Sequence, residues 1–157
     1  MVGPIKNMVR AVLRWRQKRV QLGSAQDVHR LLRGAPLGIL DVGASGGILP
    51  RFRPFKGEIN FVGLEPDERS YNDLVTSAEA SEFRSYRIVP TGAWSRDQKV
   101  EISFTRKPMC SSHFQPNTKF LSQFPDPNRF DVVGSGAVDC QTIDDIFAQA
   151  VSSVDFI

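Results

Sequence analysis

Residues 38–47 read "GILDVGASGG". An apolar run ends in an acid, Asp41, and a loop with three glycines follows at once. A run without polar alternation suits a central strand covered on both faces. A loop stripped of side chains lets a large ligand lie against the backbone. Asp41 at the strand tip favours a positive charge or a hydrogen-bond donor on that ligand.

Downstream, the same grammar recurs. "INFVGLEP" (59–66) is a second buried strand, ending in Glu65. Tyr71, Leu74, Val75 and Ala78 then mark one face of a helix. "YRIVPTGAW" (86–94) reads as a third strand. After the turn "SRDQ", "VEISFTR" (100–106) alternates Val100, Ile102 and Phe104 with Glu101, Ser103 and Thr105, which predicts an antiparallel strand whose polar face is wet. Residues 107–130 hold four prolines and no period, so they read as a long irregular loop, a length that is often functional. "DVVGSGAVDC" (131–140) is a further short strand. Thr142 caps a helix with Asp145 at the box position and Ile146, Phe147 and Ala150 on its apolar side. "VDFI" (154–157) opens one more strand, expected beside the first.

Upstream lies a basic arm. Residues 1–36 carry eight Lys/Arg and one acid, while residues 37–157 carry twelve and sixteen. The positive charge therefore belongs to residues 1–36 and not to the domain at 37–157, which argues against a nucleic-acid surface spread over the protein. Ile5, Met8, Val9, Val12 and Leu13 follow helical spacing within 4–20. Such a stripe docks on its own domain, or rests weakly on an anionic membrane surface. A second helix is expected from Ser24, with Val28, Leu31 and Leu32 inward and Gly34 as its C-cap. The chain has no apolar run of transmembrane length and no secretory leader. Cys110 and Cys140 show no metal-ligand spacing and make no disulfide framework. Free thiols in a reducing cytoplasm, and no metal, are the expectation.

The order of strand, glycine loop, strand with terminal acid, helix and strand describes half of a Rossmann-like α/β sheet, in which ligands bind beyond the carboxyl ends of the strands. Glu65 stands 22 residues after Gly43, where an acid accepts hydrogen bonds from ribose hydroxyls. Two cofactor classes use this arrangement. A nicotinamide dinucleotide, as in an oxidoreductase, wants G-x-G-x-x-G facing a pyrophosphate, and G-A-S-G-G with an acid beside it departs from that pattern. S-adenosylmethionine carries an ammonium group and no phosphate, which suits Asp41.

"LDVGASGG", "FVGLEPD", "GAWSRDQKVEISF", "SSHFQPN" and "VDCQTIDDIF" stand in the order and spacing of the FkbM-type methyltransferases. The chain resembles that family over residues 37–157, and the basic arm lies outside the resemblance. The resemblance implies a class I methyltransferase fold, S-adenosylmethionine as cofactor, and O-methylation of a sugar or natural-product hydroxyl. It implies that Asp41, Gly43, Ala44, Ser45 and Gly47 surround the methionine part, that Glu65 holds the ribose, and that Pro66 and Asp67 border the adenine. Ser45 stands where many members carry Asn. In the family, the residues after "VDFI" hold a Lys-Asp pair and a Gly-x-Glu at the substrate, so the resemblance also implies an N-terminal fragment, whose alternative role is cofactor binding without turnover. No catalytic base is assigned by the motifs. His113 is a candidate for it. Ser111 and Ser112 are candidates for lining the acceptor site. Trp94 reads as core or adenine border, and Asp144 and Asp145 as charges at a helix start.

Overall fold

The apolar runs at the start of the domain lie side by side as parallel strands in the computed structural model, which describes residues 25–150 and 153–157. Strands β1 (Leu37–Val42), β2 (Ile59–Leu64) and β3 (Ser85–Val89) form one parallel sheet in that order. The C-terminal residues join its other edge. The Leu40 amide donates to the Phe156 carbonyl at 2.9 Å, in a parallel bridge between Ile39 and Phe156. "VDFI" therefore lies beside the first strand, as expected, but as a single bridge at Phe156 and not as a strand.

Alternation of side chains across this sheet makes two apolar layers. Ile39, Ile59 and Phe61 point to one face, where Ala44, Ile48 and Leu74 of α2 (Glu68–Val75) complete the layer. Leu40, Val62 and Leu64 point to the other, under Ile146 of α4 (Ile143–Ala150). Helices cover both faces, which is why these strands read as unbroken apolar runs. The Asp145 amide donates to Thr142 Oγ1 at 3.1 Å, so the expected cap of α4 forms. The side chain of Ala150 lies outside the described residues.

The second sheet holds β4 (Gly92–Ala93), β6 (Val132–Gln141) and β5 (Gln98–Thr105), in the order β4-β6-β5. Strand β6 runs antiparallel to β5 and parallel to β4. The segment read as one strand at 86–94 is thus two, in different sheets. Pro90 has no amide to give a ladder, and the Thr91 amide turns back to the Val89 carbonyl at 2.9 Å. The sheet mixture makes the protein a mixed α/β fold with a parallel sheet.

Other expectations need correction. Helix α2 ends at Val75, capped by Thr76, so Ala78 starts a separate 3-10 turn and Val75 is exposed. Residues 107–130 contain three short elements: 3-10 turns at Pro108–Cys110 and Pro127–Phe130, and α3 (Thr118–Leu121), capped by Asn117. Between β1 and β2 the chain forms a 3-10 segment, Pro50–Glu58, with Pro50 at its start and Pro54 inside it. Lys56 is buried there. Its ammonium reaches Glu79 at 2.9 Å and Glu82 at 3.3 Å, pinning this crossover to the turn after α2.

The chain divides into two compact units, Met1–Gly34 and Ala35–Ile157. The described part of the first is one helix, α1 (Ala25–Gly34). Val28 and Leu32, four residues apart, are half-buried, whereas Leu31, expected on the same face, is exposed. The helix expected at 4–20 and the Ser24 cap lie outside the described residues. No helix among the described residues is long and apolar enough to cross a membrane. Cys110 and Cys140 are both free.

Candidate functional site

Parallel pairing in register sets Asp41 against Gly63 and Val42 against Leu64, so both strands stop at the same level. The chain then folds over the end of β2. The Gly43 and Ala44 amides both donate to the Leu64 carbonyl, at 2.9 and 3.0 Å. Gly43, Gly46 and Gly47 have φ of 80, 92 and 74°, a region that side chains with a Cβ rarely adopt. A Cβ placed on Gly43 would meet nothing within 4 Å, so the loop backbone is open on that side. Ala44 differs: its side chain is in the core and offers a ligand only backbone.

Asp41 and Glu65 are close enough for the charge of Asp41 to raise the Glu65 carboxyl. Burial is the larger cause of that rise, and the Asp67 charge adds to it. The Asp67 and Ser45 amides act in the opposite direction. The Asp67 amide donates to Glu65 Oε1 at 2.8 Å. Asp41 is half-buried, and burial raises its carboxyl also. The Ser45 hydroxyl pairs with Ser70 of α2 at 2.8 Å. Pro66 packs near Gly92, at the start of β4. The structure thus brings Asp41, Ser45 and Glu65 together at the carboxyl ends of β1 and β2.

Asp67 is committed elsewhere. It caps α2 by accepting the Arg69 amide at 3.1 Å. It also receives Arg69 Nε at 2.9 Å and an Arg69 terminal nitrogen at 2.6 Å. Burial alone would raise this carboxyl, but hydrogen bonds and charge from Arg69, with Ser111, outweigh it and hold Asp67 below its ordinary value. The same Arg69 nitrogen donates to the Thr105 carbonyl at 3.1 Å. Sequence reading missed Arg69, because a guanidinium two residues after an acid carries no periodic signal.

Ser111 closes the circuit from the long loop. Its hydroxyl accepts the Thr105 amide at 3.1 Å and donates to Asp67 Oδ2 at 3.4 Å. Ser112 pairs with Ser103 as an antiparallel bridge, through amide–carbonyl bonds of 2.8 and 3.2 Å. Ser103 and Thr105 are therefore buried, at 3% and 0% exposure, where alternation predicted a wet face. The loop that follows satisfies their hydroxyls: Gln115 Nε2 donates to Ser103 Oγ at 2.7 Å, and the Thr105 hydroxyl donates to the Lys107 carbonyl at 2.7 Å.

His113 is exposed. Its ring meets Trp94 at 5.1 Å and Phe114 at 5.5 Å, both edge-on. Nδ1 lies 3.1 Å from the Glu101 carbonyl, which can only accept. The neutral ring making that bond carries its proton on Nδ1 and leaves Nε2 as an acceptor. Asp144 and Asp145 stand in the first turn of α4.

A cavity of about 390 Å³ lies against the glycine loop. Its walls include Ser45, Gly47, Ser70, Leu74, Phe83 and Met109, but neither Asp41 nor Glu65. No group of three potential metal ligands occurs among the described residues. No protein-family model, curated protein or solved structure matches the chain.

Proposed function

We propose that the chain is the cofactor-binding part of an S-adenosylmethionine-dependent methyltransferase with a Rossmann-like class I fold, acting on a hydroxyl of a sugar or natural product. The observation that carries this reading is the convergence of two carboxyl groups, Asp41 and Glu65, around a glycine loop at adjacent parallel strand ends. The donor set fits the cofactor. A carboxylate beside open glycine backbone matches an ammonium group, and a second carboxylate matches a vicinal diol. As carboxylates, two acids beside the loop repel a pyrophosphate.

When bound, the cofactor supplies a methyl group already activated on a positively charged sulfur. The protein's share is then alignment and exclusion of water. Asp41 would hold the ammonium end, Glu65 would accept from the ribose, and the Gly43–Gly47 backbone would seat the chain between them. His113 would take the acceptor proton on Nε2, since Nδ1 is turned to the Glu101 carbonyl.

Calorimetric titration with S-adenosylhomocysteine, with NAD as the control, tests this. S-adenosylhomocysteine should bind and NAD should not. Glu65→Ala should weaken binding by about 1.5–3 kcal/mol, the scale of hydrogen bonds to a charged group. Absence of binding by S-adenosylhomocysteine, or tighter binding of NAD, overturns the reading.

A further inference from the structure

We propose that Arg69 is a positioning residue that ties the acid end of β2 to the loop carrying Ser111, Ser112 and His113, so that a disturbance at Glu65 is felt in that loop. The ring of contacts is closed. Glu65 Oε1 holds the Asp67 amide, and Asp67 is gripped by two nitrogens of Arg69. Arg69 reaches on to the Thr105 carbonyl, the Thr105 amide donates to Ser111, and Ser111 returns to Asp67. Its guanidinium carbon also lies 6.0 Å from the Phe104 ring.

Two segments distant in sequence meet here: the end of β2 with the start of α2, and the end of β5 with the loop that follows it. Glu65, Asp67, Ser103 and Thr105 are all buried. Arg69 is itself exposed and Ser111 half-buried, but the acceptors they serve are not, and an unmatched polar group there costs more than its bond is worth in water. A planar guanidinium serves two acceptor directions at once, the carboxylate and the carbonyl, which an ammonium does not reproduce. The loop has its own short ladder, Ser103 with Ser112, and the clamp fixes where that ladder sits. His113 follows directly, so its place against Trp94 and the Glu101 carbonyl is set by the same clamp.

The inference uses the methyltransferase reading only for the meaning of the two ends, and its test needs no ligand. Amide hydrogen exchange of Ser103 and Ser112 is measured by NMR in the full chain and in Ser111→Ala, Ser111→Thr, Arg69→Lys, Glu65→Ala and the Glu65→Ala/Ser111→Ala double variant. Ser111→Ala, Arg69→Lys and Glu65→Ala should each accelerate both amides about tenfold, the scale of one lost hydrogen bond to a charged partner, while the Leu40 amide in the other sheet keeps its parent rate; equal acceleration of Leu40 would mean general destabilisation and overturn the clamp. Ser111→Thr keeps the hydroxyl and should exchange as the parent does. The double variant should exchange no faster than the faster single, as expected of members of one circuit. Unchanged exchange in Arg69→Lys or Glu65→Ala, or multiplied effects in the double variant, overturns the clamp. Failure of S-adenosylhomocysteine to bind the parent would instead remove the methyltransferase reading and leave these rates to decide the clamp.

Discussion

Gly38 and Asp155 hold each other twice. The Gly38 amide donates to Asp155 Oδ2 at 2.8 Å, and the Asp155 amide donates to the Gly38 carbonyl at 2.8 Å. Gly38 has no Cβ because there is no room for one: an added Cβ would strike the Ser153 carbonyl and lie 3.1 Å from the Val154 Cα. All the atoms in the way are backbone. Gly38→Ala should therefore destabilise the domain by about 1–3 kcal/mol, the range for overpacking a fitted site. Urea unfolding measures it. An unchanged midpoint would show that the C-terminal segment gives way freely.

The carboxyls of the candidate site have opposed signs. Burial raises Glu65 and Asp41 above their unfolded values. Each contributes most to stability below its unfolded pKa, and that contribution is lost as pH rises through the raised value. A ligand that requires them ionised must then bind more tightly as pH rises through this window, with release of protons. Titration with S-adenosylhomocysteine in two buffers of different ionisation enthalpy should show that release. Affinity that improves toward acid would contradict it. Asp67 is lowered, so its contribution is present above the unfolded aspartate pKa and lost as pH falls through the lowered value.

His113 is exposed and touches none of Asp41, Ser45 or Glu65 through any hydrogen bond described. His113→Gln should leave affinity for S-adenosylhomocysteine within a few-fold and, in a longer protein that carries the acceptor-side residues and turns over, should lower methyl transfer about 100-fold, the low end for a lost general base. Equal turnover in the variant and the parent would remove His113 from the chemistry.

All the candidate binding residues lie in the Ala35–Ile157 unit. Removal of residues 1–20 should leave cofactor affinity within a few-fold in calorimetry. A folded truncated protein that no longer binds would place part of the site in the basic arm.

The strand ends were legible because the physics there is local. An apolar run covered on both faces needs no alternation, and Asp41 and Glu65 mark where two such runs stop. The burial of Ser103 and Thr105 was not legible. Their partners are Ser112, Ser111 and the Lys107 carbonyl, supplied by a loop without period. Alternation assigns hydroxyls to water unless a partner is known, and here the partners come from tertiary folding. The break at Pro90 was written in the sequence as a missing amide. That it sends β4 to another sheet depends on β6, more than 40 residues downstream.

Strands β5 and β6 pair in antiparallel fashion from Gln98 with Cys140 to Thr105 with Val132, although residues 106–131 intervene. Within that excursion Phe120 and Phe124 are exposed, and the backbone around Ser122–Phe124 takes no part in either sheet. Scission there would spare every ladder of the domain. Two pieces parted at Gln123 would each carry one half of the β5–β6 pairing, so the longest ladder of this fold would become the seam between them.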